Sequence, residues 1–298
     1  MNVRIGSRGS ALARWQAEHV RARLAALGHA ATIRVITTTG DRIQDRRLDE
    51  VGGKGAFLKE IEEAMLAGEV DLAVHSLKDV PTALPPGLRL CAVLERADPR
   101  DALLSRAGLA LKKLPAGARV GTTSLRRRAQ VAALRPDLVL QDLRGNVDTR
   151  IRKLGEGACD AILLAVAGLE RLGRRGEATE ILEPDLFLPA PGQGAIALEC
   201  REDDGAVVAA VAPLDHPETA RAVAAERALL AGLQGGCNVP LGAYAVGEDG
   251  DVRLTGFVAR PDGSGLLRGQ ARDRDPLRAG AALAEQLLAR GAGQLMRG

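Results

Sequence analysis

The sequence predicts two α/β domains followed by a small α+β domain. Three observations carry this. Strand-length apolar runs alternate with helical stripes through roughly the first two-thirds of the chain. Two crossings, Asp98-Pro99-Arg100-Asp101 and Pro189-Ala190-Pro191-Gly192-Gln193-Gly194, divide that region. Past His216 a long helical pattern gives way to three alternating strands and a closing helix. The 298 residues exceed what one ordinary core accommodates. The expected division is 1–97 with 195–214, 98–194, and 215–298, the two crossings acting as interdomain linkers of a hinged pair.

Residues 3–7 read as a strand. Ser10, a capping residue type, then precedes Ala13, Ala17, Val20, Leu24 and Leu27, whose 4-3-4-3 spacing is a helical stripe. Arg8 and Ser10 thus occupy a strand-to-helix turn, where open α/β sheets bind ligands and a helix N-terminus offers N–H groups to an anion. A strand over 32–36 follows. Residues 39–56 form a long loop, and its Gly52-Gly53-Lys54-Gly55 run lacks the GxxxxGK[ST] spacing of a phosphate loop. Phe57, Ile61, Ala64 and Met65 share a helix face, and 70–74 and 88–94 are strands. Beyond the first crossing, 118–124 leads into a helix from Leu125, and 138–141 and 159–165 are further strands. The strand 195–199 follows the second crossing. A helix over 216–232 delivers the chain to Gly235-Gly236-Cys237. Strands near 241–247, 251–259 and 265–271, turns at 248–250 and 261–263, and a helix over 277–288 complete the pattern.

The composition, 46% hydrophobic and 27% charged, is globular. No apolar run reaches the ~18 residues of a membrane span, and the N-terminus lacks a signal peptide's apolar core. A cytoplasmic protein without a membrane partner is therefore expected. Cys91, Cys159, Cys200 and Cys237 are far apart with no CxxC pair, so neither a disulfide framework nor a metal site is expected. The first three read as core thiols. Residues 100–175 hold 16 Lys/Arg against 7 Asp/Glu, while the remainder holds 25 against 31. A basic middle segment points to anionic ligands. With aromatics at 2%, platforms for stacking bases are scarce, and small polycarboxylates or phosphates fit better than nucleic acid.

Three stretches carry chemistry. At the end of the strand 70–74, His75, Ser76, Lys78 and Asp79 crowd together. They read either as a solvated turn or as a proton-transfer site whose carboxylate is tuned by its neighbours. In the second domain arginines recur past three strand ends: Arg126 and Arg127 after Thr122-Thr123-Ser124, Arg144 and Arg150 around Gly145, and Arg171. If those strands are parallel, their ends share one edge, and gathered guanidinium groups repel unless an anion offsets them. Helical spacing keeps Arg126, Arg127 and Arg128 from facing one ligand together. Cys237, behind two glycines and before Val239-Pro240, is either an ordinary small apolar residue or a displayed thiol.

Taken in order, these stretches resemble the porphobilinogen deaminase family, the hydroxymethylbilane synthases, from Arg4 to the C-terminus. The resemblance rests on Ser7-Arg8-Gly9-Ser10-Ala11-Leu12-Ala13 with Trp15-Gln16, Val51-Gly52-Gly53-Lys54-Gly55-Ala56-Phe57 with Lys59-Glu60, and His75-Ser76-Leu77-Lys78-Asp79-Val80-Pro81. It continues through Gly121-Thr122-Thr123-Ser124-Leu125-Arg126-Arg127, Leu143-Arg144-Gly145-Asn146-Val147, Ala165-Val166-Ala167-Gly168-Leu169, Pro191-Gly192-Gln193-Gly194 and Gly235-Gly236-Cys237-Asn238-Val239-Pro240. Departures from the family pattern are Ala11, Ala56, Glu50, Asn238 and the additional Arg128.

The resemblance implies a transferase that condenses four porphobilinogen molecules stepwise, with loss of ammonia. It builds on a covalent dipyrromethane primer and releases hydroxymethylbilane by hydrolysis. It implies two type II periplasmic-binding-protein-like domains around a cleft, plus the third domain carrying the cofactor loop. Cys237 matches the thioether anchor and Asp79 the catalytic carboxylate. The implied cofactor-binding set is Arg8, Ser10, Lys78, Thr122, Thr123, Ser124, Arg126, Arg127, Arg144 and Gly145. The implied substrate-binding set is Arg8, Ser76, Arg144, Arg150, Arg171, Gln193 and Gly194. A monomer with porphobilinogen as its small-molecule partner is expected. A non-catalytic polycarboxylate-binding protein would account for the arginines and linkers but not for Cys237 or the Asp79 cluster. A nucleic-acid binder would account only for the basic segment.

Overall fold

The structure is a computed structural model and describes residues 1–42, 58–233 and 239–297. Among these the chain runs β1 (Asn2–Ser7), α1 (Ala11–Ala26), β2 (Ala30–Val35), a short α2 (Thr39–Arg42), α3 (Lys59–Leu66), β3 (Leu72–Ser76) and β4 (Leu88–Val93). Next come β5 (Asp101–Ser105), β6 (Arg119–Gly121), α4 (Leu125–Leu134), β7 (Val139–Gln141), α5 (Val147–Gly155), β8 (Ala161–Ala165), α6 (Val166–Arg171) and β9 (Glu180–Leu182). The last stretch holds β10 (Ile196–Arg201), α7 (Gly205–Val211), α8 (Pro217–Gly232), β11 (Leu241–Glu248), β12 (Asp251–Val258), β13 (Leu267–Asp273), α9 (Pro276–Ala289) and α10 (Ala292–Arg297). Two compact units result, Met1–Ala97 with Gly194–Ala220, and Asp98–Gln193 with Arg221–Gly298.

In the first unit the strand order is β2-β1-β3-β10-β4. β1 runs parallel to β2 and β3, and β10 is antiparallel between β3 and β4. Ala17, Val20 and Leu24 of α1 bury against Val3, Ile5, Leu72, Val74 and Leu198. The stripe stops there: Leu27 caps the helix and is exposed, because Gly28 turns the chain away at φ 81°. Ile61 and Met65 of α3 form a second cluster with Val70, Ala73 and Leu88. β3 lies two residues further along than the apolar run suggested. Asp71, at the head of that run, is taken up by Arg4, whose Nε and backbone N each donate to Oδ2 at 2.9 Å. His75 and Ser76 are consequently strand residues.

In the second unit the order β7-β6-β8-β5-β9 repeats the pattern of the first, with β6, β7 and β8 parallel and β5 antiparallel to β8 and β9. The two units thus share one mixed-sheet arrangement, which is the α/β class expected of them. β5 and β9 were not expected as strands, because Ala102-Leu103-Leu104 and Ile181-Leu182 are too short to announce themselves in isolation. The same unit holds the antiparallel sheet β11-β12-β13, the small third domain's sheet. Leu229, Leu283 and Leu287 from α8 and α9 cover one of its faces, packing on Ala243, Ala245 and Leu254. Phe257 packs with Ala129 of α4 and Leu188. Cys159 and Cys200 are core thiols as expected, and Cys91 is half-buried. Among the described residues no helix is long and apolar enough to cross a membrane.

Candidate active site

β1 and β3 are parallel, so their C-terminal ends lie at one edge of the sheet. After β1, Ser10 caps α1, its Oγ accepting from Ala13 N at 3.3 Å. After β3, the chain folds into a 3-10 turn, Leu77–Asp79, closed by Val80 N donating to Leu77 O at 3.0 Å. Buried Leu77 anchors this turn and leaves Lys78 and Asp79 half-buried at its surface. The two strand ends line a recess of about 80 Å³ that brings together Arg8, Ser10, Gln16, His75, Ser76 and Asp79. Asp79 is the one carboxylate among the described lining residues. Gln16, buried on α1, donates through Nε2 to Ser76 Oγ at 2.8 Å and so orients that hydroxyl.

Behind the recess lies a buried histidine–glutamate hydrogen bond that the sequence reading missed. Glu199 on β10 is fully buried, and its Oε2 stands 2.9 Å from His75 Nε2. Its second oxygen, Oε1, has no hydrogen-bond partner among the described residues. Glu62 on α3 is near enough to be affected. Burial first, and then the charge of Glu199, push its carboxyl above the ordinary range, against a smaller opposing effect of His75.

In the second unit β6, β7 and β8 are parallel, so the residues that follow them do share one edge, as the arginine pattern required. After β6, Thr122 is buried and its Oγ1 accepts from Ser124 N at 3.2 Å. Ser124 caps α4 by accepting from Arg127 N. After β7, Gly145 adopts φ 123°, and a Cβ there would meet Thr149 Cγ2 at 2.5 Å, so only glycine fits. Its carbonyl accepts from Arg150 Nε at 2.8 Å. Lys153 Nζ donates to Arg144 O at 3.2 Å. Arg171, ending α6 after β8, is drawn down to about 10 by burial.

The anion that offsets Arg126 and Arg127 is internal. Asp101, at the head of β5, is fully buried. It accepts from Arg126 Nη1 at 2.6 Å and from Arg127 Nη2 at 2.6 Å. Arg126 also reaches Leu188 O at 2.6 Å, and Arg127 reaches Leu163 O at 2.8 Å. Burial alone would raise the Asp101 carboxyl. The charges and hydrogen bonds of the two arginines outweigh it and hold the group well below the carboxylate range. The trio keeps one surplus positive charge. Gln193 joins the same hub, its Nε2 donating to Pro99 O at 2.7 Å and to Asp101 Oδ1 at 3.1 Å. Arg128 instead pairs with exposed Asp142 at 3.2 Å.

Asp101 and Glu199 each gave a faint local signal, a carboxylate set in an apolar strand. Their partners lie too far along the chain for the sequence to show. Cys237 with its Gly235-Gly236 and Asn238 neighbours, and Lys54 with the 52–55 glycine run and Phe57, lie outside the described residues.

The recess and the basic strand ends form donor sets suited to carboxylated ligands, and comparison with known proteins gives the class of enzyme. Residues 3–209 match the family model described as porphobilinogen deaminase, dipyromethane cofactor binding domain, and residues 220–289 match porphobilinogen deaminase, C-terminal domain. This is the class of cofactor-carrying transferases built on two α/β domains. The chain belongs to the porphobilinogen deaminase family. It is 50% identical over 296 residues to the porphobilinogen deaminase of Brevibacillus brevis, covering 98% of this chain and 96% of that protein. It is 52% identical over 302 residues to that of Roseiflexus castenholzii, covering 100% and 99%. Among solved structures, it overlaps a TRAP periplasmic solute binding protein from Desulfovibrio salexigens at TM-score 0.44 and 9% identity, covering 74% and 73%. An overlap that loose adds nothing to the family membership.

The membership bears out the expected chemistry. The enzyme is a transferase of porphyrin biosynthesis that carries a dipyrromethane cofactor. It condenses four porphobilinogen molecules stepwise to hydroxymethylbilane.

Proposed function

We propose that Asp79 is the proton-transfer carboxylate of this reaction and that Cys237 anchors the cofactor. The observation that carries the first assignment is the recess, where Asp79 is the one described carboxylate among cationic and hydroxyl groups. Those groups fit a carboxylated pyrrole. Arg8 matches an acetate or propionate side chain, Ser10 and Ser76 add hydroxyl donors, and Asp79 can accept from a pyrrole N–H.

Bound at Cys237, the dipyrromethane supplies a nucleophilic pyrrole α-carbon. Asp79 does the rest of the proton handling. As ammonia leaves the substrate's aminomethyl carbon, positive charge develops on the substrate ring, and a fixed carboxylate stabilises it. One proton must then depart for each new carbon–carbon bond, and the same carboxylate takes it. Arg8 and Lys78 in the first unit hold carboxylate side chains. Thr122, Thr123, Ser124, Arg126, Arg127, Arg144 and Gly145 in the second unit serve the cofactor, and Arg144, Arg150, Arg171, Gln193 and Gly194 serve the substrate. Burial of Arg171 supports this, since a guanidinium short of water gains from an incoming anion. For Arg126, Arg127 and Gln193, the engagement with Asp101 supports an orienting contribution, the surplus charge of the hub attracting the ligand. Residues 215–298 act as the domain that bears the cofactor loop, α8 leading directly to it. The enzyme works as a cytoplasmic monomer.

Asp79→Asn tests the central assignment. The variant is expected to fold and to carry the cofactor, as read by intact mass, while turnover falls by about 10²–10⁴. Near-parental turnover in the loaded variant would remove Asp79 from the role.

A further inference from the structure

We propose that Glu199 is a positioning residue for this reaction. It holds the His75 imidazole in one orientation, so that a single ring nitrogen is left to meet the substrate in the recess beside Asp79. This rests on the reading of the recess given above.

A glutamate in the middle of a buried strand is costly, and a well-packed apolar residue of similar volume would be neutral or better for stability. Glu199 is fully buried, and among the described residues only one of its two oxygens finds a hydrogen-bond partner. As a stabilising device it is therefore poor. Its single bond goes to His75, which lines the recess. The strand register explains how they meet. β10 runs antiparallel to β3 with Ala197 opposite His75 and Glu199 opposite Ala73, which makes Glu199 and His75 diagonal neighbours on one face. At 2.9 Å the contact commits Nε2 and blocks ring rotation, which leaves Nδ1 as the nitrogen open to a substrate. A carboxylate that orients a functional histidine through its second nitrogen is a recurrent arrangement, and where the histidine binds a metal its loss typically costs about 10–100-fold in affinity or activity. Among the described residues, the other charged groups around the ring are Glu62 from α3, Arg8 from the β1–α1 turn and Asp79 from the 3-10 turn.

The test uses cofactor-loaded enzyme. Glu199→Leu is expected to lower kcat by about tenfold or more with KM within about twofold, while resistance to urea is kept or raised. Glu199→Gln, which retains a hydrogen bond to the ring, is expected to recover most of kcat. The double variant Glu199→Leu with His75→Asn should be no slower than His75→Asn alone, since the two residues act as one unit. Parental kcat in Glu199→Leu, or losses that multiply in the double variant, would overturn the proposal. If Glu199→Leu does not load cofactor, Glu199→Gln and His75→Asn decide it, and parental kcat in His75→Asn overturns it. Inactive Asp79→Asn beside an unaffected Glu199→Leu sinks this inference alone. An active Asp79→Asn sinks the reading of the recess beneath it.

Discussion

Asp101 shows how a single carboxylate can organise several side chains named for ligand binding. Arg126, Arg127 and Gln193 all donate to it, and all lie within one buried hub. Removing one partner of a buried charge cluster strands the others, at a cost of about 3–5 kcal/mol. Asp101→Asn is therefore expected to lose several kcal/mol of stability, measured by urea denaturation near neutral pH. The pH dependence follows from the direction of the shift. The folded-state Asp101 carboxyl lies below its unfolded value of about 4, so its stabilisation is complete above that value and is lost as pH falls below it. The parent should lose stability steeply on acidification from about pH 5 downwards. Asp101→Asn should show a shallower acid slope, and equal slopes would contradict the ionised hub.

At the scale of elements, α4 is shared between two tasks. Its N-terminus, capped by Ser124, presents Arg126 and Arg127 to Asp101. Its later turns receive the β12–β13 hairpin. Gly263 at the hairpin turn adopts φ 79°, and a Cβ there would come within 2.7 Å of Ala129 O and Ala133 N. Both contacts are backbone and cannot swing aside. Gly263→Ala is expected to cost roughly 1–3 kcal/mol from backbone strain, with further loss from the clash. Gly247→Ala, at an exposed position near the end of β11 with nothing near the new methyl group, is the control and should stay within about 0.5 kcal/mol of the parent. Equal stabilities for the two variants would mean that the hairpin does not seat on α4.

For the whole molecule, the decisive observable is mass. Enzyme made in cells that supply porphobilinogen should carry an adduct consistent with two linked pyrroles, and Cys237→Ser should lack the thioether adduct and turnover. A loaded, active Cys237→Ser enzyme would move the anchor elsewhere. Size-exclusion chromatography with light scattering should return a particle near the 31.2 kDa of one chain. A stable dimer would contradict the proposed monomer.

Much of this was legible in the sequence, wherever the physics is local. Ser10 announced the start of α1, and Ala13, Ala17, Val20 and Leu24 its buried face, because capping and 3.6-residue periodicity act within a few residues. The turn at Asp249-Gly250 was legible for the same reason, since both residues adopt positive φ between two alternating strands. The motif series carried the family and, through it, the chemistry. The antiparallel strand β5 was not legible, because three apolar residues become a strand only when β8 and β9 supply ladder partners. The electrostatic partners of the candidate sites were not legible either. Asp101 meets Arg126 across 25 positions and Gln193 across 92, and Glu199 meets His75 across 124. The sequence by itself determined the helices with a clear apolar stripe or cap, such as α1, the local turns, and which reaction the chain performs. Only the tertiary structure decided which buried charges stand together, because Coulombic and hydrogen-bond energies depend on distances in space that chain separation does not encode.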